Sequence, residues 1–235
     1  MKIALCISGQ PRSFRAGYEY YKKNLLDKFD VDVFIHTWDG EDANDVASWY
    51  HPISFRTDPP LTGDFTKKYT HTPDATKWPP LFTVSAFYSM FQCNLLRVNH
   101  EINTKQYDWV IKTRFDFALP SVIPFDKLEK GKVYMPPCRK LAFGDWLGND
   151  QFAIGDSDVI NKYMSTYLNL DRYYNKGVEM IGEEMLRANL IENGLVNRNL
   201  VYLDMPPPFP PGPRNGTPHF LIRDDFDKWT NSSKN

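Results

Sequence analysis

Tyr107-Asp108-Trp109-Val110-Ile111-Lys112-Thr113-Arg114-Phe115-Asp116-Phe117 is the stretch on which the reading of this chain turns. It has the composition of a buried β-strand that ends in a small polar cluster. Trp109, Ile111, Phe115 and Phe117 share one parity, and Lys112, Arg114 and Asp116 share the other. Side chains alternate across a strand, so one face is expected to be apolar and the other to carry two cations and a carboxylate. A carboxylate beside fixed positive charge at a strand tip suits a metal-diphosphate. The same spacing fits an Arg114–Asp116 ion pair that closes the strand and does nothing else. Spacing alone leaves both readings standing.

Upstream, Thr83 to His100 is the clearest helix: Val84, Phe87, Tyr88, Phe91, Leu95 and Val98 recur near 3.6-residue spacing. It delivers the chain to the strand. Further back, Lys2 to Ser8 reads as a short buried strand broken by Gly9-Gln10-Pro11. Ser13 is placed to cap a helix carrying Tyr18, Tyr21, Leu25, Leu26 and Phe29, and Val31 to Thr37 is a second strand. Strand, helix, strand implies parallel pairing with a right-handed crossover. Between the two passages, Asp39 to Pro80 is polar and punctuated by Pro52, Pro59, Pro60, Pro73, Pro79 and Pro80, and only Ile53 to Phe55 looks like strand. A segment of that kind is expected to be a long functional or disordered loop.

Beyond Asp116 the pieces shorten. Strands are expected at Lys132–Met135, Gln151–Ile154 and Leu200–Leu203, and helices at Ser157–Leu168 and Ile181–Asn193, with Gly194 as a C-cap. Met205 to Arg214 is polyproline-like and cannot join a sheet centre; it is a docking motif or an extended tail closing over the body. The expected fold is α/β and a single domain over residues 1–235. An open, mostly parallel sheet flanked by helices occupies 1–117, an α+β elaboration 118–204, and a Pro-rich tail 205–235.

Composition narrows the function classes. Of 235 residues, 42% are hydrophobic and 24% charged, as in an ordinary globular chain, and the formal net charge of −1 provides no basic field for nucleic acid. Aromatics reach 15%, a surplus that suits sugar rings as well as core. No apolar run is long enough for an export signal or a membrane span. Cys6, Cys93 and Cys138 are odd in number and far apart, so neither a disulfide framework nor a metal-binding pair is expected, and a reducing cytoplasm fits. Asn215-Gly216-Thr217 and Asn231-Ser232-Ser233 match the glycosylation pattern and are read as chance.

Ligands in open α/β sheets bind outside the carboxyl ends of the strands. Ser8, Gly9, Gln10 and Arg12 follow the first strand, where small residues let a backbone approach a ligand and Arg12 can meet a phosphate or a base edge; the turn is neither a Walker loop nor a dinucleotide fingerprint. His36, Thr37, Trp38 and Asp39 end the second. There His36 reads as a hydrogen-bonded core residue before a ligand, and Trp38 either stacks on a base or sugar or covers the sheet edge. Asp116 is the candidate ligand for Mg²⁺ or Mn²⁺, with Arg114 neutralising phosphate beside it or in its place. Asp150, in Gly148-Asn149-Asp150-Gln151-Phe152, suits hydroxyl recognition or general-base work, against a plain Asx turn. Glu183, in Gly182-Glu183-Glu184, either joins a site or favours the dipole of the helix it opens. His219 either swings onto a bound metal or diphosphate or is a surface histidine.

Taken in order, Ile7-Ser8-Gly9-Gln10-Pro11-Arg12-Ser13-Phe14, Asp32-Val33-Phe34-Ile35-His36-Thr37-Trp38, Tyr107-Asp108 through Arg114-Phe115-Asp116, and Asp150-Gln151-Phe152 with Gly155 resemble bacterial and viral surface-polysaccharide glycosyltransferases. These are enzymes of the WavE type and small phage-encoded relatives, and the resemblance spans roughly Met1 to Leu195. It implies a GT-A-like fold, a nucleotide-diphosphate-sugar donor, a glycan or lipid-linked acceptor, and a divalent metal held by an Asp-x-Asp motif. The chain departs from that pattern, because Arg114 stands where the first Asp would be. Asp150 matches the family's Asp-Gln position, and Glu183 matches an acidic position three residues before a leucine. The expected activity is transfer of one sugar from the donor to a surface glycan by a cytoplasmic enzyme, with a peripheral place at the membrane face as a variant of that location. If configuration inverts, Asp150 or Glu183 serves as the base. The rival readings are a non-catalytic glycan-binding or scaffold protein on the same fold, and a sugar nucleotidyltransferase, which the single glycine near the N-terminus disfavours.

Overall fold

A computed structural model of the chain describes residues 1–70, 79–136, 149–196, 199–203 and 220–222. The described residues form an α/β unit built on a mixed, mostly parallel seven-stranded sheet with helices on both faces. The strands are β1 (Lys2–Ser8), β2 (Asp30–Trp38), β3 (Ser54–Asp58), β4 (Trp109–Thr113), β5 (Val133–Met135), β6 (Ala153–Gly155) and β7 (Leu200–Tyr202). Their spatial order is β3-β2-β1-β4-β6-β5-β7. β6 runs antiparallel to both its neighbours, and the other pairings are parallel.

β1 is apolar at nearly every position because both of its faces are covered. Ile3, Leu5 and Ile7 point to one side, with Val33, Ile35, Trp109 and Ile111 of the adjacent strands, against α1 (Phe14–Tyr21) and α2 (Ala43–Tyr50). Ala4, Cys6, Phe34 and Val110 point to the other, against α3 (Pro80–Ile102), α4 (Ser157–Met164) and α6 (Gly182–Glu192). Cys6 and Cys93 are free and buried, with Cys93 Sγ donating to the carbonyls of Ile7 and Phe34; Cys138 lies outside the described residues.

Three expectations need correcting. Among its described residues the Asp39–Pro80 segment is not one long loop: besides β3, where a strand is expected at Ile53–Phe55, it folds α2, because Ala43, Val46 and Tyr50 bury one helical face although acidic residues surround them. The helix expected over Ser157–Leu168 is α4 followed by a 3₁₀ turn (Ser165–Asn169) and then α5 (Leu170–Asn175). β4 ends at Thr113, so Arg114 to Phe117 is a turn and not a continuation of the alternating strand. Ser13 stands just before α1, with a left-handed φ of 50°, but its side chain makes no capping hydrogen bond to the helix. Gly194, with φ 68°, follows α6 at the position expected of a C-terminal glycine.

The chain returns to the β4 turn late. Ala118 N donates to Phe220 O at 2.8 Å and Ile222 N to Asp116 O at 2.7 Å, with Phe117 stacked on Phe220. The polyproline-like stretch Met205–Arg214 and His219 lie outside the described residues. Among the described residues no helix is long and apolar enough to cross a membrane.

Candidate functional site

The sheet itself locates the site. Ser8 pairs with His36, Ile7 with Thr113 and Trp38 with Asp58, all in parallel, so these strands end on one edge. From β1 the chain steps outward to β2 and β3, then crosses back by α3 to β4 on the other side of β1. The order therefore reverses between β1 and β4, and such a switch point opens a crevice at the carboxyl ends of the two strands. Ser8 to Arg12 leaves β1 there, and Arg114-Phe115-Asp116 leaves β4.

At the β1 end, Gly9 has φ 111°, a conformation that favours glycine, and no atom lies within 4 Å of where a Cβ would stand. Gln10 and Arg12 are exposed, and Ser8 is buried. Thr37 and Trp38 face inward. Thr37 is fully buried and donates its hydroxyl to the Gly9 carbonyl at 2.9 Å, and Trp38 stacks on Tyr88 of α3 at 5.8 Å. Their observed contacts shape the β1 turn and cover the sheet edge. His36 is a buried core residue with both ring nitrogens hydrogen-bonded.

At the β4 end, Arg114 and Asp116 form a bidentate pair: Nε to Oδ1 at 2.8 Å and Nη2 to Oδ2 at 2.8 Å. The Asp116 side chain is 7% exposed and that of Arg114 33%. Two of the five guanidinium N–H groups are used in this way, and the other three have no partner among the described residues. Lys112 lies behind the pair, buried, and donates to the Asp150 carbonyl. Burial pushes its amine down to about 8, against the pull of Asp150 and Asp116 and with help from Arg114. Asp150 thus shares a field with Lys112 and Arg114. Its Oδ2 is 3.2 Å from where a Cβ on Gly182 would stand, which sets it against the first turn of α6 and next to Glu183 in the chain.

The structure therefore gathers Arg114, Asp116, Asp150 and the Glu183 end of α6 at one edge, beside the Ser8–Arg12 turn. Gly17, which no sequence pattern singled out, and Tyr21, read from the sequence only as a position of the first helix, hold the tip in place. Gly17 of α1 packs so closely that an added Cβ would be 3.1 Å from the Phe115 carbonyl carbon and closer still to its oxygen. Tyr21 OH bonds Thr113 Oγ1 at 2.6 Å and the Arg114 carbonyl at 3.0 Å, and burial pushes its phenol well up. A glycine inside a helix costs stability, so Gly17 was the available signal of a close approach.

No protein-family model matches this chain, and no curated protein matches it.

The described residues do not fit the divalent metal implied by the resemblance. Both Asp116 oxygens are held by a guanidinium, whose charge repels a cation, and His219 lies outside the described residues. Among the described residues no group of three or more His, Cys, Asp or Glu side chains is arranged to hold a metal. Two shallow depressions, of about 280 and 310 Å³, lie at the opposite, amino edge of β4. The polar floor of the first is already internally paired, through Arg97 with Glu101 and Ser157. Chemistry favours the carboxyl edge.

Proposed function

We propose that the protein is a glycosyltransferase with a GT-A-like sheet that takes its sugar from a nucleotide-diphosphate donor. The observation that carries the reading is the Arg114–Asp116 pair at the β1/β4 switch point, with Asp150 in the same electrostatic field. The turn from Ser8 to Arg12 receives the nucleotide. The N–H groups of Arg114 that do not bond Asp116 take the diphosphate, and Asp116 holds the guanidinium plane in position. Departure of the nucleoside diphosphate builds negative charge on its phosphate oxygens, and a fixed guanidinium lowers the energy of that state. For an inverting reaction Asp150 removes the proton from the acceptor hydroxyl, with Glu183 as the neighbouring carboxylate. The acceptor is a glycan or a lipid-linked sugar.

One observation favours a second reading. The Arg114–Asp116 pair is already closed, as in a structural ion pair, and a non-catalytic glycan-binding protein needs nothing more. A panel of nucleotide-diphosphate sugars, assayed for release of nucleoside diphosphate with and without a chelator, separates the two. Turnover of one donor that is lost in Asp150→Asn and Arg114→Met supports the enzyme. Binding without turnover of any donor favours the second reading, and absence of binding by every donor defeats the first.

A further inference from the structure

Three side chains on three elements line up behind the Gly9 amide of the β1 turn. Gly9 N is 2.8 Å from Ser89 Oγ of α3, Ser89 Oγ is 2.7 Å from His36 Nδ1 of β2, and His36 Nε2 is 3.0 Å from Asp58 Oδ2 of β3. Asp58 also accepts from Tyr88 OH at 2.9 Å and from the Arg56 guanidinium through Oδ1. Donor and acceptor chemistry orders the chain in one direction. The Gly9 amide can only donate, so Ser89 Oγ accepts from it. A carboxylate with four donors around it accepts, so His36 Nε2 carries the proton. Nδ1, at 2.7 Å, is then the acceptor for the Ser89 hydroxyl in preference to the His36 carbonyl, which lies farther off at 3.3 Å.

A serine, histidine and aspartate joined in this way have the composition of a hydrolytic triad. Ser89 is fully buried, however, and its oxygen is covered by the Gly9 amide, so it has no path to a substrate. The array reaches solvent at its ends, through the Gly9 turn and through Arg56 on the edge strand.

We infer that Asp58, His36 and Ser89 form a directional hydrogen-bond relay that locks the Gly9 turn, and that His36 is the positioning residue of the candidate nucleotide loop. Gly9 is then clamped on both sides, with its N–H shared between Ser89 Oγ at 2.8 Å and the His36 carbonyl at 3.3 Å, and its carbonyl on Thr37. A turn fixed in that way presents the following backbone to a ligand without paying ordering entropy on binding. The ligand named here rests on the glycosyltransferase reading, whereas the relay itself does not.

The test is nuclear magnetic resonance on the full chain without any ligand. Imidazole nitrogen spectra are expected to show His36 protonated at Nε2 and bare at Nδ1. Asp58→Asn, three hydrogen bonds away from Gly9, is expected to shift His36 toward the other tautomer. The Gly9 amide is expected to exchange with solvent at least about tenfold faster in that variant and in Ser89→Ala, by loss of the shorter of its two bonds, which leaves only the longer one to the His36 carbonyl. His36 found protonated at Nδ1 in the unaltered protein, or Gly9 exchange unchanged in both variants, overturns the relay. Since neither readout involves a nucleotide, a failed donor screen leaves these results intact, and a failed relay leaves the donor screen intact.

Discussion

Gly17 of α1 lies directly against the carbonyl of Phe115, so the helix that follows β1 touches the turn that follows β4. The two halves of the switch point are thereby fixed to each other through a position where only glycine fits. Gly17→Ala should push the Arg114–Asp116 turn away from α1. Overpacking of this kind costs about 1–3 kcal/mol, which for a chain of this size lowers the melting temperature by about 2–4 °C per kcal/mol. Calorimetry checks the stability, and resonances of Arg114 to Phe117 that stay unshifted would show that the contact is not tight.

Tyr21 carries the second link between α1 and the tip. Tyr21→Phe removes bonds to Thr113 Oγ1 and to the Arg114 carbonyl and leaves a buried hydroxyl and carbonyl with fewer partners. The expected cost is about 1–2 kcal/mol in denaturant unfolding, with the packing of the ring retained. A variant as stable as the parent would mean that water satisfies those groups.

The outline of the fold was readable in the sequence because β1, β2 and α3 are long enough for their patterns to show. The apolar runs of β1 and β2 and the helical spacing from Val84 to Val98 are products of burial on both sheet faces. α2 was not readable, because Asp42 and Asp45 mask the three residues, Ala43, Val46 and Tyr50, that face the core. The end of β4 was misplaced for a different reason: Phe115 and Phe117 keep the strand parity and are buried, yet the backbone has already turned. At the candidate site the charged residues announced themselves, but their partners did not. The link from Lys112 to the Asp150 carbonyl and that from Ser89 to Gly9 join residues far apart in the chain, and no local pattern encodes them.

Asp116→Ala leaves Arg114 without its counter-ion. Breaking a buried pair costs about 3–5 kcal/mol, and the 33% exposure of the Arg114 side chain reduces this to about 1–3 kcal/mol through solvent screening. Donor turnover should fall far more than stability does. In a double-mutant cycle with Arg114→Met the two stability losses should be less than additive, and full additivity would show that the pair contributes nothing as a pair.

His36 predicts an acid limb in the stability curve. Burial lowers its pKa below 6.5, although Asp58 pulls the other way; Arg56 adds to the lowering and Asp39 opposes it, with Tyr88 and Ser89 of α3 as the uncharged neighbours. As pH falls through about 6.5 the unfolded chain takes up the proton while the folded chain does not. Stability is therefore full above that pH and declines below it until the folded pKa is reached. Asp58 acts lower down: burial would raise its pKa, but Arg56, His36 and Tyr88 outweigh this, so its contribution is present above 3.8 and lost as pH falls through the folded value. Melting temperatures measured from pH 8 to pH 5 should drop more steeply for the parent than for His36→Gln, and equal slopes would remove His36 from the account.

The β1/β4 switch point is proposed to bind a nucleoside diphosphate. Titration of the isotope-labelled protein with a panel of nucleoside diphosphates, followed by backbone amide shifts, tests this most directly. Saturable shifts centred on Gly9 to Arg12 and Arg114 to Asp116 are expected for at least one member, and are expected to be abolished in Arg114→Met. No shifts with any member, or shifts centred on the Arg97, Glu101 and Ser157 depression at the other edge, would contradict it.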